Sequence, residues 1–316
     1  MPEKIIIDTD PGIDDAMAIC FAMASPELDL LGLTTTFGNV SVDMATENAL
    51  RIVEINDLDT PVARGAETPW VQAALPFPDF VHGHDGFGNI QLPAPKRQAI
   101  ALPAAEFIVQ QVLENPHQIS LIAIGPLTNL ALALKLEPRI AQLVKKVIIM
   151  GGTILESGNV SPVAEANIYC DPHAADHVFS ASWHVHMIGL DVTHQVLMMD
   201  ALQKKVRDSN TRCGQFLYDA GRFYAAFYKA HRGAEGCYVH DASAIAYAID
   251  PSLFDVIDGP VRVASYGMAK GQTIMKRSNY QYPENHWENI SHSSVCMGVD
   301  ANGVLALYEQ ALCASH

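Results

Sequence analysis

Short apolar runs and longer helical stripes alternate along this chain. Ile5 to Ile7 form a β-branched run, as expected of a strand buried on both faces. After Asp8, Thr9, Asp10, Pro11 and Gly12, apolar residues recur at helical spacing through Ile13, Met17, Cys20, Phe21 and Ala24, until Ser25 and Pro26 stop them. Leu28 to Phe37 predicts a second strand, Val42 to Ile55 a second helix, and Pro61 to Ala63 a short third strand. This βαβαβ order is the signature of a parallel sheet covered by helices.

From Gly65 to Pro103 the pattern breaks. Pro69, Pro76, Pro78, Pro93 and Pro95 exclude long regular elements, and His82-Gly-His-Asp-Gly-Phe-Gly88 lies among them. A long irregular insertion of this kind predicts a mobile, ligand-facing loop over 65–103, with a solvated Ω-loop as the alternative. Regularity then returns with a helix over Ala104–Leu113, a strand over Ile119–Ile124, a helix over Leu130–Leu136 and a strand over Val144–Met150. A loop over Ile154–Ala166 leads to a helix over Pro172–Phe179 and a strand over Val185–Leu190.

Ala201 to Arg232 reads as largely helical, and its aromatic group (Phe216, Tyr218, Phe223, Tyr224, Phe227, Tyr228) predicts a helical lid over 215–240. Most of such a stripe is expected to be core. A further helix should run to Ala248, followed by strands and hairpins from Val261, an irregular polar segment over Lys276–Ser294, and a last helix from Gly303 to Leu312. No repeat or linker interrupts this order. Residues 1–316 are therefore expected to form one α/β domain, a mostly parallel Rossmann-like open sheet flanked by helices.

Composition narrows the partners. The 316 residues are 49% hydrophobic and 17% charged, which is globular. A formal net charge of −15 disfavours a nucleic-acid backbone or an anionic membrane. The six cysteines show no C-x-x-C pair and read as reduced thiols. No apolar run is long enough to span a bilayer, and the first strand begins almost at the N-terminus, so the cytoplasm is the expected location.

The strand–turn–helix of Ile5 to Asp15 carries four acids, Asp8, Asp10, Asp14 and Asp15. Turns and first helical turns favour Asp, which explains any one of them. Four together would repel unless something positive lay between them. A hard divalent cation with oxygen ligands resolves this; without Cys or His in the cluster, zinc does not fit. Asp10, Asn39, the Ile124–Asn129 turn, the Asn159 loop and Asp191 all follow apolar strands, which places them on one carboxyl edge of the sheet. Asp241 instead opens a helix.

Four motifs together resemble the inosine-uridine-preferring nucleoside hydrolases: Asp8-Thr-Asp-Pro-Gly-x-Asp-Asp15, Gly125-Pro-Leu-Thr-Asn129, Gly158 to Asn167, and Val239-His-Asp241. The likeness spans nearly the whole chain. It implies a calcium ion held by Asp10, Asp15, Asp241 and the Ile124 carbonyl, and a ribonucleoside as substrate. Asp14, Asn39, Asn159, Glu165 and Asn167 match ribose-binding positions, and Met150 flanks the sugar. The resemblance also implies a homotetramer or homodimer.

Breaking the C1′–N bond of a nucleoside builds positive charge on the ribosyl ring, as in glycosidases. Asp10 beside a metal-held water is the expected general base. The departing base needs a proton, and His240 next to Asp241 is the expected donor. In the family this chain resembles, His-Asp marks the inosine-uridine class and Trp-Asp a purine-specific one, so the resemblance implies an enzyme that is not purine-only. His82 is a second candidate near the base, with Tyr224 and Tyr228 as its roof; His84, Asp85, His231 and Arg232 are weaker ones. One departure is the run Ile274 to Asn279, where many relatives keep an acid after the Gln272-Thr273 turn.

Two other readings compete. Asp8-x-Asp10 after a strand also resembles the aspartate nucleophile of haloacid-dehalogenase-type phosphatases, with magnesium, but leaves Asp14, Asp15 and the His240-Asp241 pair unexplained. A non-catalytic calcium-dependent ribose-binding protein would need neither a base at Asp10 nor an acid at His240.

Overall fold

The apolar run Ile5–Ile7 lies in β1 (Glu3–Thr9), the strand around which the sheet is built. The computed structural model describes residues 1–209, 211–277, 280–283 and 286–314. β1 pairs in parallel with β2 (Leu28–Thr35) on one side and β4 (Ile119–Ala123) on the other. Outward from these lie β3 (Val62–Arg64), β5 (Lys146–Met150) and β6 (Val185–Ile188), all parallel. The order β3-β2-β1-β4-β5-β6 places a topological switch between β1 and β4. In sheets of this kind the crevice beyond that switch is where ligands bind.

The C-terminal segment extends the sheet. β11 (His292–Val299) runs parallel to β6, then β9 (Phe254–Val263) and β10 (Thr273–Met275) add antiparallel strands. These are the expected strands and hairpins, except that β11 begins inside the segment read as irregular. Ser278, Asn279, Glu284 and Asn285 of that segment lie outside the described residues.

Alternation along β1 divides the core. Ile5 and Ile7 pack with α1 (Ile13–Ala24), α11 (Gly214–Arg232), α12 (Asp241–Ile249) and α13 (Ala301–Cys313), while Ile6 packs with α4 (Ala104–Glu114), α5 (Thr128–Leu136) and α8 (Pro172–Phe179) on the opposite face. A period of two in a strand, met by helices on both sides, requires this two-layer burial.

Some boundaries differ from the periodicity. The strand expected to reach Leu190 stops at Ile188, and Leu190–Thr193 turns into a short helix whose first turn holds Asp191. The Asp191 carboxylate accepts the N–H groups of Ile154, Leu155 and Glu156, so it organises the next loop instead of facing the cavity. The expected lid also contains β8 (Gly236–Tyr238), paired with Leu197–Met199 in a separate two-stranded sheet. Three-residue strands are too short to show a period. Among the described residues no helix is long and apolar enough to cross a membrane.

Candidate active site

The carboxyl ends of β1, β4 and β5 open into a cavity of about 630 Å³, a size suited to a nucleoside. Asp10, Asp14, Asn39, His82, Ile124, Met150, Asn159, Glu165, Asn167, Tyr224, Tyr228, His240 and Asp241 all line it. Asp15 sits just behind, fully buried.

Asp15 organises the turn. Its carboxylate accepts from Thr9 Oγ1 at 2.5 Å, the Asp10 N–H at 3.2 Å, the Gly12 N–H at 3.0 Å and Asn39 Nδ2 at 2.9 Å. Asp10 Oδ2 accepts the Asn39 N–H at 2.5 Å, so Asn39 holds two acids in place. A Cβ on Gly38 or on Gly125 would collide with the Asp10 carboxylate, which only the bare backbone can approach so closely.

Asp10 Oδ1 and Asp14 Oδ1 are buried oxygens with no hydrogen-bond partner among the described residues. Asp14, Asp15 and Asp241 each place a carboxylate oxygen within 4.8 Å of the others. Burial first, then the neighbouring carboxylates, raises the pKa of Asp10 and of Asp241. This all-oxygen, multiply acidic donor set fits a hard divalent cation, which would keep the acids ionised. The resemblance assigns that cation to Asp10, Asp15, Asp241 and the Ile124 carbonyl; the tight trio contains Asp14, while Asp10 borders it from the cavity wall. The Ile124 carbonyl accepts from Asn167 Nδ2 at 3.0 Å and retains a second lone pair.

Asp8 takes no part in the cavity wall. It is buried, with Oδ1 accepting from Thr34 Oγ1 and from Asn129 Nδ2 at 2.8 Å. A nucleophilic aspartate must reach its substrate, so the phosphatase reading fails on geometry.

Glu165 caps α7 (Ala166–Cys170), accepting from the N–H groups of Gly152, Asn167 and Ile168, and burial raises its pKa to about 7. Asn159 Oδ1 accepts the Ala166 N–H. Asn167 Nδ2 also donates to the Met150 carbonyl at 3.1 Å, tying β4, β5 and α7 together.

A hydrogen-bonded chain crosses the far wall. Tyr224 Oη lies 2.8 Å from Asp14 Oδ2 and 3.2 Å from Tyr228 Oη; Tyr228 Oη lies 2.7 Å from His240 Nε2, and His240 Nδ1 lies 2.8 Å from Thr193 Oγ1. An ionised Asp14 only accepts, so Tyr224 donates to it and receives from Tyr228. Tyr228 then accepts from His240 Nε2–H, and Nδ1 accepts from Thr193. Burial, reinforced by His194, Arg232 and His82, pushes the His240 pKa down to about 3, so the ring is neutral. The match of free imidazole to neutral pH therefore does not carry over.

His82 is neutral as well. Its Nδ1 accepts the Ile13 N–H at 3.2 Å, which makes the 3.8 Å approach to Asp14 Oδ1 no ion pair, and burial lowers its pKa to about 4. The ring stacks on Tyr224 with centroids 5.6 Å apart. Of the weaker candidates, His231 and Arg232 line the cavity, whereas His84 is exposed and pairs with Asp79 at 3.1 Å.

Thr193 was absent from the candidate residues, although it lies in the polar run after β6, on the edge where the other site residues collect. Phe80 and Phe227, which also line the cavity, gave no such signal: one sits in the proline-rich insertion, the other in an aromatic stripe that is mostly core.

An acid-floored cavity at the switch point of a Rossmann-type sheet suits a metal ion and a small polar ligand. Residues 5–306 match the family model described as inosine-uridine preferring nucleoside hydrolase. The chain is 41% identical over 314 residues to the probable uridine nucleosidase 1 of Oryza sativa subsp. japonica, covering 99% of this chain and 97% of that one. It is 40% identical over 287 residues to the inosine-uridine preferring nucleoside hydrolase of Leishmania major, covering 90% of each. A solved plant nucleoside hydrolase superposes with a TM-score of 0.96 at 40% identity, over 100% of both chains. The chain belongs to the inosine-uridine preferring nucleoside hydrolase family and is a nucleoside hydrolase.

Proposed function

We propose that this enzyme hydrolyses the N-glycosidic bond of pyrimidine ribonucleosides and of inosine, with calcium as its cation, and is not confined to purines. The observation that carries this is the pairing of an unpartnered Asp10 Oδ1 with a Tyr228 hydroxyl across one cavity. Asp10, Asp15, Asp241 and the Ile124 carbonyl would hold the calcium, with Asp14 beside them at the ribose. When bound, it would supply a positive charge that acidifies a nearby water and attracts the ribose hydroxyls.

The chain's own residues do the rest. Asp10 takes the proton of the attacking water at Oδ1, since Oδ2 is committed to Asn39. Asp14 and Glu165 set negative charge beside the ribosyl ring as it becomes cationic. Asn159 and Asn167 hold the sugar, with Met150 at its flank.

The base leaves toward Tyr228. With a substrate bound, the Tyr228 proton turns from Tyr224 to the departing base. His240 Nε2–H steadies the phenolate left behind, which regains a proton from solvent as Asp10 releases the one it took from water. His240 thus assists the leaving group through Tyr228. His82, flat on Tyr224, packs against the base. Relatives bearing the names uridine nucleosidase and inosine-uridine preferring nucleoside hydrolase support the substrate class.

The same reading makes the enzyme a cytoplasmic homo-oligomer. Six free cysteines suit a reducing compartment, and Val256, Ile257 and Ile274 leave apolar surface exposed at the β9–β10 edge. Light scattering on the purified protein reads the oligomer directly.

The test is steady-state hydrolysis across uridine, cytidine, inosine and adenosine, with and without a calcium chelator. Asp10→Asn should lower kcat ~10³-fold. Activity indifferent to the chelator, or confined to purines, contradicts the reading.

A further inference from the structure

The segment after His82 is wound around a single carboxylate. Asp85 Oδ1 accepts the N–H groups of Phe87 and Asn89, each at 2.8 Å, and Oδ2 accepts that of Gln91 at 3.0 Å. Positive φ at Gly83, Gly86, Gly88, Asn89 and Gln91 gives the coil a tight left-handed winding. Asn adopts it more readily than most residues and Gln rarely, and Asp85 accepts the N–H of both.

This coil is bolted to the catalytic turn. Asn48, fully buried on α2 (Val42–Ile55), donates from Nδ2 to the Pro11 carbonyl at 3.0 Å and to the Asp85 carbonyl at 2.9 Å. Its Oδ1 accepts from Arg51 Nη1 at 2.7 Å, so the amide has one orientation. The Gly88 N–H donates back to the His82 carbonyl at 2.8 Å, and Phe87 is buried edge-on against Phe216. Asp85 itself is not in the cavity wall.

We propose that Asp85 is a positioning residue. It turns residues 83–91 into a rigid arm that, pinned to Pro11 through Asn48, holds the His82 ring against Tyr224 and beside Asp14. This rests on the reading of His82 as a wall of the base site. The arm explains how a proline-rich insertion, otherwise short of regular structure, delivers one ring to a fixed place. Fixed placement matters because an error of about 1 Å in a contacting group can cost ~10²-fold in rate.

Three variants test it: Asp85→Ala, Asp85→Asn and His82→Ala, with the Asp85→Ala/His82→Ala double variant. In Asp85→Ala the amides of Phe87, Asn89 and Gln91 should exchange with solvent ~10²-fold faster, and kcat/KM for uridine should fall ~10–100-fold. Asp85→Asn keeps one acceptor oxygen and should recover part of both. The double variant should be no slower than His82→Ala alone, since a residue acting through His82 has nothing further to lose.

Placement is also read without turnover. The ¹⁵N resonances of the His82 ring should show Nδ1 as a hydrogen-bonded acceptor in the parent and an averaged tautomer in Asp85→Ala. Unchanged ring resonances, unchanged exchange, or a double variant with multiplied losses would each overturn the proposal. If His82→Ala hydrolyses uridine at the parent rate, the base-site reading of His82 falls, while the ring resonances still decide whether Asp85 positions it.

Discussion

Tyr228 Oη and His240 Nε2 lie 2.7 Å apart, and because Nε2–H donates there, the only proton Tyr228 has points away from the histidine, to Tyr224. The direction is set from the other end, because Asp14 accepts from Tyr224 and leaves Tyr224 needing a donor.

Tyr228→Phe should therefore hurt substrates in proportion to their need for leaving-group assistance. For uridine, kcat should drop ~10–100-fold, the lower part of the range for general-acid help. For p-nitrophenyl riboside, whose phenolate leaves unaided, kcat should stay within about threefold of the parent, because no assisted proton transfer is lost. Equal losses on both substrates would show that Tyr228 serves the sugar and not the base.

A cation should stabilise the fold as well as the reaction. Asp10, Asp14, Asp15 and Asp241 are buried together, and burial raises the pKa of each. Differential scanning fluorimetry at pH 7.5 should show a higher Tm with calcium than with chelator. Saturation at about 100 times Kd corresponds to ~2.7 kcal/mol. Asp241→Asn should shrink that increment; an increment of full size would place the cation elsewhere.

The opposite end of the sheet makes a pH prediction. Burial, then His184 and Lys146, lowers the His186 pKa from 6.5 to about 4, against a smaller raising effect of Asp258 and Glu3. A depressed folded-state pKa on a base means stability that is present above 6.5 and lost as pH falls through about 4. After discounting for its partial exposure, the loss should be ~1–2 kcal/mol. His186→Gln should flatten this part of the curve in urea titrations at pH 7 and pH 4.5. An undiminished slope would assign it to other groups.

Asp171 is a structural counterpart to the acids of the site. Fully buried, it accepts from the Trp70 N–H at 2.7 Å, Thr128 Oγ1 at 2.8 Å and the Ala174 N–H at 3.1 Å, joining the 65–103 insertion to α5 and α8. Asp171→Ala removes a helix cap and strands two further donors, one buried and one partly buried, which should cost ~2–4 kcal/mol. Urea unfolding should show a lower midpoint at constant m-value. A cost under about 0.5 kcal/mol would mean that water replaces the carboxylate.

Several features of this protein were legible in the chain alone. The β-branched run at Ile5–Ile7 and the stripe from Ile13 to Ala24 determined a strand, a turn and a helix, because periods of two and 3.6 are local properties. Four acids in that corner called for a cation, since like charges at short range have few other remedies. The polar residues after each apolar run marked the carboxyl edge of the sheet.

Tertiary structure decided what the individual groups do. Which of the four acids are saturated depends on Thr34, Asn39, Asn129 and Tyr224, all brought in from distant segments. Burial took His240 and His82 away from the ordinary imidazole pKa, and no sequence pattern reports burial depth at a single loop residue. The 65–103 insertion had no period to read, so its winding around Asp85 and its anchors at Asn48 and Asp171 appear only once the chain is folded. The corner of four acids thus belongs to the sequence, while the division of labour among them, and the rings set against them, belong to the fold.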